Sequence, residues 1–144
     1  MASFDKHSLE RVSGLYVKDT PPKGRGVFCN NPIEAETVIE VCPTLLFTAT
    51  DGALVDKTIL YNYYFSAQFL SDTVAVSHDI FDKEKAGIIA FGMLSLCNHS
   101  DNPNACIEKN VENNEVWFVL KALKDISPHE EILISYGKVW FDAV

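Results

Sequence analysis

Cys97-Asn98-His99-Ser100-Asp101-Asn102-Pro103-Asn104 is the stretch on which the reading of this chain turns. Three side-chain amides and an imidazole crowd around a turn-forming proline. A polar cluster this dense is too costly to bury without hydrogen-bonding partners, so it reads as a built site rather than as a run of caps around a core histidine. Asn98-His99-Ser100 alone also fits the N-x-S glycosylation acceptor. Met1-Ala2-Ser3-Phe4-Asp5-Lys6-His7 has no apolar signal-peptide core, so export and glycosylation are not expected.

Downstream, Glu131-Ile132-Leu133-Ile134-Ser135-Tyr136-Gly137 alternates as a strand does, placing Ile132, Ile134 and Tyr136 on one face. Upstream, Gly24-Arg25-Gly26-Val27-Phe28 sets two glycines around one residue, so the backbone bends sharply and approaches a ligand without a Cβ in the way. It lacks the third glycine and the strand-to-helix context of a phosphate-binding loop. In this order and at these separations the segments resemble the G-x-G, N-H-S-x-x-P-N and E-x-x-x-x-Y signatures of the SET domain family of lysine methyltransferases. The resemblance extends from Leu15 to Gly137.

The composition is that of one domain, 144 residues with 47% hydrophobic content, enough for a single core. No apolar run approaches the roughly 20 residues of a membrane span, and the expectation is a soluble intracellular protein, nuclear or cytoplasmic. Cys29, Cys42, Cys97 and Cys106 are scattered singly, without the C-x-x-C spacing of a zinc loop. They read as buried thiols in a reducing compartment, and no metal is expected. The resemblance is therefore to small SET proteins, such as the viral ones, that lack zinc-bound segments on either side of the domain. Twenty acidic against twelve basic residues give a formal charge of −8, which repels nucleic acid and favours a basic protein partner.

Short apolar segments recur between turn residues: Leu15–Lys18, Gly26–Phe28, Val38–Cys42, Leu45–Phe47, Val74–Val76, Ala105–Lys109, Val116–Leu120 and Ile132–Ser135. Asn113-Asn114 predicts a hairpin turn. The pattern predicts a mainly β fold of small sheets. The resemblance adds a SET-type, β-clip-like architecture with short helices and a pseudoknot that threads the C-terminal strand. Glu84–Leu96, rich in small residues, predicts a short helix whose glycines admit another backbone. Ile33-Glu34-Ala35-Glu36-Thr37-Val38-Ile39 faintly echoes Ile126-Ser127-Pro128-His129-Glu130-Glu131-Ile132, and the similarity is attributed to chance.

The resemblance implies roles as well. Gly24, Arg25, Gly26, Asn98 and His99 would hold the methyl donor S-adenosylmethionine, and Asn104 and Glu131 would anchor the knot. Tyr136 would be the catalytic tyrosine, with Tyr63 as a second pocket tyrosine and Tyr64 beside it. Trp140 and Phe141 would close the lysine channel with Tyr63 and Tyr64. Where the family usually has glycine, this chain has Glu36 and His129, which puts the geometry of two turns in question. The implied activity is methylation of lysine in a basic protein, histones included, with a homodimer plausible. The competing reading is a SET fold that binds a peptide without turnover.

Overall fold

The computed structural model describes residues 11–66, 87–112 and 115–135. Val74–Val76, the Asn113-Asn114 turn, Tyr136, Trp140 and Phe141 lie outside the described residues. Two sheets account for most of the rest. The first carries strands β1 (Leu15–Asp19), β2 (Arg25–Cys29), β6 (Asn98–His99) and β9 (Glu131–Ile134), in the order β1-β2-β9-β6. The second carries β3 (Val38–Phe47), β4 (Phe65–Ser66), β5 (Gly87–Ala90), β7 (Ala105–Glu112) and β8 (Glu115–Ala122), in the order β4-β5-β3-β8-β7. One short helix, α1 (Ala49–Val55), follows β3 and is capped by Thr48, whose hydroxyl accepts from Asp51 N. Among the described residues no helix is long and apolar enough to cross a membrane.

Alternating burial ties the sheets to one core. Val27, Ile39, Ile88, Leu94, Phe118, Leu120, Ile126, Ile132 and Ile134 are all buried in it, and each such side chain contributes about 1.5–3 kcal/mol by leaving water. β7 and β8 pair in register from Ala105↔Ala122 to Glu112↔Glu115, framing the asparagine pair as expected of a hairpin.

Val38–Cys42 and Leu45–Phe47, read separately in the sequence, are one strand passing through Pro43. Proline has no N–H to give a ladder. β3 resolves this by changing partner there, pairing with β8 up to Pro43 and with β5 from Thr44 onward. Pro43 still accepts from Phe91 N at 3.0 Å.

The helix predicted over Glu84–Leu96 is not formed across its described part. Gly87–Ala90 is strand β5, held between β3 and β4, and Met93–Leu96 is a single 3₁₀ turn. Pairing on both sides outweighs the weak helical pattern, and Gly92 between them is fully extended. The glycines make room for side chains rather than for another backbone. A Cβ at Gly87 would strike the Phe47 and Tyr64 rings, and one at Gly92 the Cys42 sulfur.

The internal echo is structural, not accidental. Ile33 and Ile126 pair across the two segments, and each is followed by a tight turn closed by Thr37 N to Glu34 O and by Glu130 N to Ser127 O. The third turn residues, Glu36 and His129, both take positive φ, 71° and 65°. The turns thus keep the geometry that favours glycine without having it.

Candidate functional site

Strand β9 brings the separated motifs together. On one side it pairs antiparallel with β2, Val27↔Ile132 and Phe28↔Glu131, and the Glu131 side chain reaches along the strand to Gly26. On the other it runs parallel to β6, Asn98↔Leu133 and His99↔Ile134. Gly26 has to be glycine here: a Cβ would sit 2.5 Å from Glu131 Oε2 and 3.0 Å from Asn98 Nδ2.

The Asn98 amide donates to Glu131 Oε2 at 2.7 Å and to Thr20 Oγ1 at 3.1 Å. Thr20 in turn donates to Gly24 O. Glu131 Oε1 takes the Lys23 ammonium at 2.9 Å, with the lysine half exposed. One network therefore joins the Thr20–Gly26 loop, β6 and β9. Gly24, at φ +86°, turns this loop with nothing near its missing Cβ, so it is required by conformation rather than by crowding.

Asn104 closes the far side. Its Nδ2 donates to Glu131 O and its Oδ1 accepts from Leu133 N, both at 2.8 Å, while its own N–H reaches Leu133 O at 3.2 Å. With Ser100 N donating to Ile134 O, the segment from Asn98 to Asn104 grips β9 along its length. Its buried amides are thereby partnered, Asn104 by the β9 backbone and Asn98 by the Glu131 and Thr20 side chains, as the cost of leaving them unpaired demands. His99 is partly exposed, with Nε2 3.0 Å from Asp101 Oδ1, and the Arg25 side chain is exposed at the start of β2.

Tyr63 and Tyr64 belong to a different neighbourhood. Tyr64 donates to Asp56 and packs edge-on against Phe47 and Tyr61, at centroid distances of 5.1 and 6.5 Å. Burial, then the Asp56 bond and charge, push its hydroxyl up to about 12, so it stays protonated. Tyr63 is exposed at the end of the 3₁₀ turn Ile59–Asn62. Among the described residues no hydrogen bond or ring contact links either tyrosine to the Asn98–Glu131 network.

All four cysteines are buried thiols, none of them in a disulfide. Burial is the largest influence raising the Cys42, Cys97 and Cys106 thiols, Cys106 to about 11, which withholds the thiolate that covalent catalysis needs. Among the described residues no group of His, Cys, Asp and Glu is arranged to hold a metal.

The sequence reading missed Thr20, Lys23 as a partner of Glu131, and Glu40. Thr20 and Lys23 bracket the Pro21-Pro22 pair, a hint that this loop is fixed, yet no spacing rule links positions 23 and 131. Glu40 sits in an apolar strand run, and a lone carboxylate there was a visible signal. Its side chain is buried and bonded to Arg11, Met93 N and Leu94 N.

The sequence profile of the SET domain matches residues 24–137. The chain is 33% identical over 132 residues to a Schizosaccharomyces pombe histone-lysine N-methyltransferase specific for H3 lysine-37, covering 90% of this chain and 78% of that protein. In fold it is similar to the Neurospora SET domain protein DIM-5, a histone lysine methyltransferase, with TM-score 0.63 and 23% identity over 88% of this chain and 53% of that one. It is also similar in fold to Chaetomium thermophilum Polycomb Repressive Complex 2 bound to S-adenosylmethionine, with TM-score 0.65 and 17% identity over 88% of this chain and 15% of that one. The expected fold class is borne out, and this chain belongs to the SET domain family as a protein-lysine N-methyltransferase.

Proposed function

We propose that this protein transfers the methyl group of S-adenosylmethionine to lysine side chains of a basic protein inside the cell, with histones the first substrates to test. One observation carries the donor site. Both hydrogens of the Asn98 amide are committed, to Thr20 and Glu131, which leaves its carbonyl oxygen to act as an acceptor. The donor's amino-acid ammonium needs such an acceptor, and the loop is open at Gly24, where nothing lies near the missing Cβ. The residues fit the group. Arg25 and His99 complete the proposed set, His99 through the backbone it aligns on Ile134.

When bound, S-adenosylmethionine supplies an electrophilic methyl on a sulfonium for in-line displacement. The protein's part is to align the lysine amine and keep it neutral. Holding lysine neutral near pH 7 takes about 4–5 kcal/mol, which a desolvating aromatic channel and the neighbouring sulfonium supply without a general base. Tyr136, two residues beyond the end of β9, is proposed to orient the amine, with Tyr63, Tyr64, Trp140 and Phe141 lining the channel. Asn104 and Glu131 are proposed as the anchors of β9. The acidic balance, −8 overall, favours a basic substrate over nucleic acid, and a homodimer is proposed as the assembly.

Incubation with labelled S-adenosylmethionine and a panel of basic proteins, histones included, followed by mass spectrometry, tests the proposal. The expected result is one or more added methyl groups on lysine. Donor binding without any transfer across the panel would favour a binding module instead.

A further inference from the structure

Glu40 is buried in the apolar interior, 1% exposed, yet it belongs to none of the three motifs. A bulge puts it there. β3 pairs Val38 with Lys121 and Glu40 with Leu120, so Ile39 is extra and both Ile39 and Glu40 turn inward.

Its carboxylate is fully engaged. Oε2 accepts from Arg11 Nε and Nη2 at 2.9 and 2.8 Å and from Met93 N at 3.0 Å. Oε1 accepts from Leu94 N at 2.9 Å, and the Cys42 thiol bonds the same group. Met93 and Leu94 open the 3₁₀ turn Met93–Leu96, which has no side-chain cap of its own because Gly92 precedes it. Glu40 thus supplies from another strand what a local cap supplies elsewhere. The turn is short and leads without slack into Asn98: Cys97 N bonds Leu94 O at 3.2 Å, and Asn98 is then in register with Leu133.

We propose that Glu40, locked by Arg11, is a positioning residue for the methyl-donor site, setting the backbone of Met93–Leu96 and through it the placement of Asn98 and His99. This rests on the reading of Asn98 and His99 as donor-binding residues. A carboxylate suits the task because it only accepts: it takes two backbone N–H groups and a guanidinium at once. Arg11 is half exposed, with 49% of its side chain accessible. Arg11, whose neighbour Val12 is tied down by Val12 N to Ile39 O at 2.9 Å, therefore governs the site through Glu40.

The test is donor affinity, measured by isothermal titration with S-adenosylmethionine, beside steady-state kinetics on the same preparations. Glu40→Gln keeps the shape but turns an amide donor toward Met93 N or Arg11. Arg11→Gln removes the counter-ion from the half-exposed side of the pair and keeps a polar side chain there. Both variants are expected to bind the donor about tenfold more weakly, or about 1.4 kcal/mol, while kcat at saturating donor is retained. Arg11→Lys should recover part of the loss through charge without the planar fork. If Glu40→Gln does not fold, Arg11→Gln decides alone. A folded variant with wild-type donor affinity overturns the inference. If the wild-type protein itself binds no donor, the donor-site reading falls first and takes this inference with it.

Discussion

Asn98 Nδ2 lies 2.7 Å from Glu131 Oε2, a contact between residues 33 positions apart that joins the central motif to the last strand. The Asn98→Asp variant sets a carboxyl against that carboxylate. We expect it to lose about 2–3 kcal/mol of stability near neutral pH, in the range for a hydrogen bond to a charged group, together with donor binding. The introduced carboxyl would have its folded-state pKa raised by its neighbour, so the penalty is present above its unfolded pKa and fades as pH falls and the group protonates. Thermal melts of variant and wild type at about pH 8 and about pH 5 check this: the gap should narrow in acid. A constant gap would show that the two side chains do not meet in the folded protein.

Gly24 and Gly26 should fail differently when replaced by alanine. Gly24→Ala meets open space and has only the left-handed φ of +86° to contend with, worth about 1–2 kcal/mol. Gly26→Ala has an ordinary φ but drives a methyl into Glu131 and Asn98, so it should abolish donor binding by pushing apart the network that orients the Asn98 amide. Paired melts and donor titrations separate the two effects. Equal loss of binding in both variants would contradict the assignment.

Glu36 and His129 hold glycine-like φ values, and removing the side chain should relieve that strain. Glu36→Gly gives up an ion pair to Lys121 at 3.0 Å, which is exposed and worth little. We expect it to be neutral or to stabilise by up to about 1 kcal/mol. His129→Gly also loses the 2.8 Å bond to Tyr16 OH, so its net effect should be smaller. Glu36→Val, a β-branched residue at positive φ, should destabilise by more than about 1 kcal/mol. Chemical denaturation orders the three variants.

Turnover should rise with pH across the neutral to alkaline range, because no protein base is required and the neutral fraction of the substrate amine grows as protons are withdrawn. Tyr64, raised to about 12, titrates well above this range and should not shape the profile. Tyr136→Phe should remove most activity with folding and donor affinity retained, and chelators should leave turnover unchanged. A flat or falling profile measured with chemistry rate-limiting would mean that a protein group takes the proton.

Strands β1, β2, β7, β8 and β9, the β7–β8 register on either side of Asn113-Asn114 and the membership of the family were written in local sequence. Alternation, turn chemistry and motif order depend on near neighbours in the chain, and near neighbours are what a sequence displays. Gly87–Ala90 shows the limit: four small and branched residues carry no decisive period, and pairing with β3 and β4 made them a strand.

What only the tertiary structure decided are the meetings of distant residues. The pairing of Ile33 with Ile126, which turned an apparent coincidence into a repeated turn, depends on two segments folding face to face. Glu131 stands out in the sequence at the head of an alternating strand, but its bond to Lys23 spans 108 positions and follows from β2 and β9 lying side by side. Glu40 reads as an oddity in an apolar strand until a bulge turns it inward and Arg11 neutralises it. A buried charge is admissible only where its partners converge in space, and that convergence is a property of the packed sheets rather than of any stretch of the chain.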